Sequence, residues 1–179
     1  MKAVLLLIIL AASVSCSVPT TAGNDFAEDQ IHLGIRAAAA SSTGAGDIEG
    51  GGFILGDSLS LSGGIFVTDS LEIGIATEFW TYPESNDASA GVYTGYLRYY
   101  LQNEGNVRPY ILLGAGLYSA DNGDGDVYRL GAGISQFVSD TASIDISVEE
   151  HFSSYVTDDR TQEIELDTVN VYLGFNILL

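Results

Sequence analysis

Lysine is almost missing from this chain. Lys2 is the only one, and the other five cations are arginines set against 24 acidic residues, for a formal net charge of −18. No basic face can be assembled from that supply, which excludes nucleic-acid binding and docking on bare anionic lipid. A single cysteine, Cys16, excludes an internal disulfide. The longest purely apolar stretch, Ala3–Ala12, is too short to cross a bilayer as a helix, which leaves no helical transmembrane segment. No phosphate-binding glycine loop, zinc spacing or nucleotide fingerprint is present. Three prolines against 21 glycines, with no sustained helical period, suit a β protein rich in turns.

What the chain does have begins with Lys2 and the apolar run behind it, the layout of a secretory signal peptide. Cleavage fits after Ser15 or after Ala22, so residues 1–22 read as leader and cleavage region. Cys16 also stands where a lipoprotein would be acylated, although Ser13-Val14-Ser15 lacks the leucine expected three positions upstream. Residues 23–30 read as a loose acidic lead, and residues 31–179 as one domain.

The last twelve residues carry the clearest pattern. Val169, Val171, Leu173, Phe175, Ile177 and Leu179 alternate with Thr168, Asn170, Tyr172, Gly174, Asn176 and Leu178. Period two means a strand with one oily face and one wetter face, long enough at roughly 9–11 residues to span a membrane. Similar patterns predict strands at 31–40, 58–67, 71–82, 91–102, 108–119, 127–138 and 142–153, with a start near Phe53 as the alternative for the second. Tight turns join the second to the third strand, the fourth to the fifth and the sixth to the seventh. The connections 41–57, 83–90, 120–126 and 154–167 are longer and polar. Short turns on one side and long loops on the other are the layout of a bacterial outer-membrane barrel. The expected fold is therefore all-β: an eight-stranded antiparallel up-and-down transmembrane β-barrel.

A soluble or lipid-anchored eight-stranded binding barrel would show the same alternation with its faces swapped. The polar face here is rich in Gly and Ser, and the chain beyond its leader has no lysine. Both features fit the crowded interior of a narrow barrel better than a water-facing surface. On the apolar face, Tyr93, Tyr128 and Phe152 fall near the loop ends, where an interfacial aromatic girdle belongs.

Two hairpins repeat a local pattern, Gly64-Ile65-Phe66-Val67-Thr68-Asp69-Ser70-Leu71 and Ser135-Gln136-Phe137-Val138-Ser139-Asp140-Thr141-Ala142, in which Asp can accept from turn amides. A third signal is Val107-Arg108-Pro109-Tyr110-Ile111-Leu112-Leu113-Gly114-Ala115-Gly116, with proline at a strand start. Together these resemble the small outer-membrane β-barrel family typified by the OmpA transmembrane domain and OmpX, over about residues 30–179. The resemblance implies an outer-membrane location in a Gram-negative cell, with the signal peptide removed, and a monomer. Tyr172, Gly174, Ile177 and Leu179 resemble the C-terminal signal read by the barrel-assembly machinery, with Leu179 where the family ends in Phe or Trp.

The inward face carries Arg36, Glu72, Glu78, Arg98, Arg129, Asp145, Glu149 and His151. Buried charges must be paired, so these eight are expected to form an ion-pair network that closes the lumen. Arg129 is expected near Glu149 and His151, and Arg98 near Glu78. The alternative is a gate whose pairs exchange. His151, Ser153 and Glu163 superficially resemble the His-x-Ser and distant Glu of the lipid A 3-O-deacylase barrels, an alternative that needs His as base and Ser as nucleophile. The run Asp121–Asp126 clusters carboxylates without the distant bidentate Glu of a calcium loop. The expectation is a non-enzymatic structural or surface-interaction barrel with no cofactor and no dedicated metal site. Its neighbours would be outer-membrane lipid and lipopolysaccharide, bridged by divalent cations, with loops 41–57 and 154–167 as its outer face.

Overall fold

The computed structural model describes residue 26 and residues 28–42, 53–81, 89–102, 105–120, 123–157 and 163–179. The leader, Cys16 and most of the loop tips lie outside these. Eight strands follow one another: β1 (Ile31–Ser42), β2 (Phe53–Phe66), β3 (Leu71–Thr81), β4 (Ser89–Tyr100), β5 (Val107–Ala120), β6 (Gly123–Ser139), β7 (Ala142–Thr157) and β8 (Glu163–Leu178). Each pairs antiparallel with the next, and β1 also pairs with β8 from His32↔Leu178 to Ser42↔Thr168, which closes the barrel. Closure gives every strand a neighbour on both sides, the condition a sheet must meet in hydrocarbon.

The strand bounds depart from expectation mainly at the loop end. The ladder between β5 and β6 runs to Ala120↔Gly123, so only residues 121 and 122 separate them, where a polar connection over 120–126 was expected. Gly123-Asp124-Gly125-Asp126 has no apolar residue to display the period, yet its backbone pairs, and the Ser119 hydroxyl donates to Asp124 Oδ1 at 2.7 Å. Asp124 and Asp126 are thus exposed wall residues rather than part of one carboxylate loop. In the turns Val67–Ser70 and Asp140–Thr141, the hydroxyl preceding Asp also accepts turn amides: Thr68 Oγ1 from Leu71 N at 3.0 Å, and Ser139 Oγ from Thr141 N at 3.3 Å.

The two faces separate cleanly. Ile31, Leu33 and Ile35 of β1, Ile73, Ile75 and Phe79 of β3, and Leu173, Phe175 and Ile177 of β8 all point outward and are exposed, Ile75 by 74%. Val148 shares the outward parity but is covered, at 7% exposure, in a row between Ala132 and Val171. On β8 the outward apolar run from Val169 to Leu179 rises roughly 26 Å at ~3.4 Å per residue and ~40° tilt, close to the ~25 Å lipid band of outer-membrane barrels.

The interior is layered. At the turn end, Phe26, Phe66, Tyr96, Tyr100, Tyr110, Leu112, Phe137 and Leu178 form a buried aromatic-rich cluster. At the loop end, Trp80, Ala90, Val92, Tyr118 and Val127 form a second one. Glu72 and Arg98 share the row of Phe66 at the turn end. Glycine makes room for the large rings: a Cβ at Gly133 would stand 2.6 Å from the Tyr110 ring. Residues 23–30 were expected as a loose lead. Instead Phe26 is 3% exposed inside the turn-end cluster, and Asp29 N donates to Phe66 O at 2.9 Å.

Candidate functional site in the barrel lumen

All eight predicted residues point inward and are buried: Arg36 on β1, Glu72 and Glu78 on β3, Arg98 on β4, Arg129 on β6, and Asp145, Glu149 and His151 on β7. Inward parity places them, because each strand offers every second side chain to the lumen. Seven of them form two groups rather than one network, and Glu78 stands outside both.

The first group centres on Glu149, which is fully buried. Arg36 and Arg129 each donate to a different oxygen of its carboxylate at short range. His151 Nε2 lies 3.6 Å away, and the Ser147 hydroxyl donates to it at 3.2 Å. Each guanidinium has a further partner: Arg129 donates to Thr94 Oγ1 at 2.8 Å and Arg36 to Ser60 Oγ at 3.2 Å, while Arg36 also covers the Tyr172 ring at 4.2 Å. Two cations on one carboxylate, with their remaining donors occupied, offset the desolvation that burial imposes.

The second group centres on Glu72. Its Oε1 contacts His32 Nδ1 at 2.7 Å and accepts a short hydrogen bond from the Tyr96 hydroxyl, and Arg98 stands 3.4 Å from Oε2. Arg98 also lies 3.6 Å from Asp145, whose other oxygen accepts from Ser143 at 3.2 Å.

The expected Arg98–Glu78 pair does not form. The register sets Arg98 directly opposite Glu72, whereas Glu78 stands opposite Val92, six residues further toward the loops. Glu78 instead accepts from the Tyr172 hydroxyl at 2.5 Å, and among the described residues no cation lies within ion-pair distance of it. The arginine and glutamate were matched by strand adjacency; the pairing register decides which rows meet.

His32, Tyr96, Tyr172 and Arg108 belong to the lumen and were not singled out in the sequence. His32 shares the parity of Arg36 on β1, so its face was readable. Arg108 opens β5 at the turn end, with its guanidinium 4.2 Å from the Phe26 ring centroid and 4.4 Å from that of Phe137.

The deacylase-type arrangement finds no support in the geometry. His151 turns its Nε2 toward Tyr172, at 3.3 Å, and Glu149, inside the closed lumen. Ser153 sits opposite Leu166, and Glu163 belongs to β8 opposite Val156 rather than to a loop. Among the described residues, no three His, Cys, Asp or Glu are grouped to hold a metal ion. What the lumen can do is lock β1, β3, β4, β6 and β7 together across the barrel axis.

A closed eight-stranded sheet, apolar outside and charged inside, decides the comparison with solved structures. The fold is that of the small outer-membrane barrels. Neisserial surface protein A superimposes with a TM-score of 0.68 at 13% identity, over 84% of this chain and 99% of that one. The N-terminal β-barrel domain of OprF from Pseudomonas aeruginosa gives 0.53 at 15% identity, covering 86% and 98% of the two chains. Ail, the attachment invasion locus protein of Yersinia pestis, gives 0.52 at 16% identity, covering 86% and 100%. No family model matches the sequence, and no curated protein does at a significant level. The resemblance to the OmpA and OmpX type of barrel therefore holds as a likeness of fold.

Proposed function

We propose that this chain is a monomeric, non-enzymatic outer-membrane barrel of a Gram-negative cell, with its leader (residues 1–22) removed. Its role is structural or surface-interacting, and its lumen is closed. One observation carries the reading: the exposed wall is apolar over a membrane-spanning height, with Glu150 as an outward carboxylate one row below Phe152, while the paired charges are inside, the reverse of a barrel built for water. Buried side-chain clusters at both ends of the lumen favour a plug over a conducting gate. Function then rests with the loop end, in the connections that join β1 to β2 and β7 to β8.

In the Tyr128–Phe152 row the outer wall carries Asp167, and above it Asp124, Asp126 and Glu165. Such carboxylates support lipopolysaccharide as the neighbouring lipid, bridged by divalent cations. The C-terminal strand would be the part offered to the barrel-assembly machinery. Its four signal residues divide between faces, with Tyr172 and Gly174 inward and Ile177 and Leu179 outward.

The test is fractionation of cells expressing the full chain, with gel mobility before and after boiling. The reading requires the outer-membrane fraction and a heat-shifted band. Cysteines at Gly46 and Gln162 should label from outside intact cells, and one at Asp140 should not. Recovery in the soluble periplasm, or labelling at Asp140 alone, overturns the location or the orientation respectively.

A further inference from the structure

Phe26 precedes the barrel wall, yet it is one of the most buried side chains in the molecule. Its ring stacks on Phe66, at the end of β2, with centroids 4.1 Å apart and planes 18° apart. Tyr100, at the end of β4, lies at 4.5 Å, and Phe137, near the end of β6, meets it edge-on at 5.6 Å. The Arg108 guanidinium, at the start of β5, covers both Phe26 and Phe137. Phe26 thus touches four strand ends from across the turn-side mouth.

The backbone holds it there. Asp29 N donates to Phe66 O at 2.9 Å, and Phe66 N donates to Gln30 O at 3.0 Å, so the chain before β1 pairs with the last residue of β2. Asp29 adopts a φ of 69°, the left-handed conformation that Asp tolerates better than most residues, and this turns the chain from the lumen toward the wall. An aromatic ring in an aromatic cup, capped by a buried cation, is a packed arrangement and not a passing contact.

We propose that Phe26, with residues 28–30 behind it, is a built-in plug that seals the turn-side mouth of the lumen, with Phe26 as the stopper and Arg108 as its lid. The proposal rests on the closed barrel alone and not on the membrane reading. It gives the lumen a closure separate from the ion pairs: if the Glu149 or Glu72 group rearranged, the turn side would still be shut. Release of the plug would open a vestibule walled by Tyr100, Tyr110 and Phe137 and floored by the Glu72–Arg98–Asp145 group.

Ser135 reports on this directly. It is 1% exposed, stands opposite Arg108 and one inward row beyond Phe137, and its hydroxyl has no hydrogen-bond partner among the described residues, so cysteine replaces it with little loss. The experiment uses the full chain in a Cys16→Ser background, folded in detergent, with Ser135→Cys labelled by a water-soluble maleimide and read on the folded, heat-modifiable band only. With Phe26 present, labelling should be slow beside that of Asp140→Cys in the exposed turn. Phe26→Ala should accelerate it about a hundredfold, because an emptied aromatic site favours the open mouth. Phe26→Leu, which keeps an apolar stopper of smaller reach and serves if the alanine variant does not fold, should give an intermediate acceleration. Fast labelling with Phe26 in place, or equal rates with and without it, overturns the plug. A barrel that stays heat-modifiable in either case leaves the fold reading standing, so the two failures are distinguishable.

Discussion

The inner and outer faces of the same strands obey opposite rules. On β8, Leu173 and Asn176 are three residues apart; one is 61% exposed and the other 5%. Outside, each residue meets its surroundings almost independently, and below the Tyr128–Phe152 row nearly all are apolar or small, Glu150 excepted. Inside, four carboxylates (Glu72, Glu78, Asp145, Glu149) share the space with four arginines (Arg36, Arg98, Arg108, Arg129), and a change at Glu149 or Glu72 leaves an arginine stranded. The lesson is that the wall is tolerant in identity and strict in polarity, whereas the lumen is strict in partnership.

The sharpest way to break this contrast is at Glu149. Glu149→Leu strands two guanidiniums at once, Arg36 and Arg129, and should destabilise the barrel by about 3–5 kcal/mol in urea unfolding from detergent or lipid. Adding Arg36→Leu and Arg129→Leu should recover much of that loss, since no charge then lacks a partner; strictly additive costs would show that the three do not act together.

On the wall the corresponding test is Leu173→Arg, which should cost roughly 2–4 kcal/mol as an arginine near mid-membrane. Asn176→Arg should be milder, because Asn176 faces inward near the turn-side mouth, where a long side chain can approach water. Equal folding yields for the two would erase the distinction between faces.

A third effect should be smaller. Arg129→Leu leaves Glu149 with Arg36 and His151 still beside it, so the loss should be about 1–3 kcal/mol, the range for a buried acceptor losing one of several partners. If it matched Glu149→Leu, the two-cation arrangement would be wrong.

The smallest effect is expected at Glu78, which keeps a single hydrogen bond to the Tyr172 hydroxyl. Glu78→Gln retains an acceptor oxygen and removes a buried carboxylate that lacks a cation beside it, so stability should change by less than about 1 kcal/mol. A loss comparable to that at Glu149 would show that Glu78 has a charged partner in solution.

Much of this molecule can be read without coordinates. Alternation along 168–179 and its seven counterparts specifies strands, faces and an even strand number, because side chains on a strand can only go to one side or the other. Polarity then assigns the inside: the positions of Arg36, Glu72, Arg98, Arg129 and Glu149 follow from counting by two. Strand ends built from Gly and Asp, as at 123–126, escaped this reading since neither residue shows a hydrophobic period.

What tertiary structure decided lies in relations between rows and between distant segments. Parity says that Arg98 and both Glu72 and Glu78 face inward; only the β3–β4 register says that Arg98 meets Glu72. Arg36 reaches Glu149 across 113 residues through the closure of β1 on β8, a contact with no local trace. Phe26 is the extreme case. A lone phenylalanine in an acidic lead has no periodicity to announce it, and its place was set by a cup that exists only once the ends of β2, β4, β5 and β6 have come together. Local alternation is a property of one strand and is written along the chain, but register and closure are properties of pairs, fixed by which rows can pack and satisfy their charges at the same time.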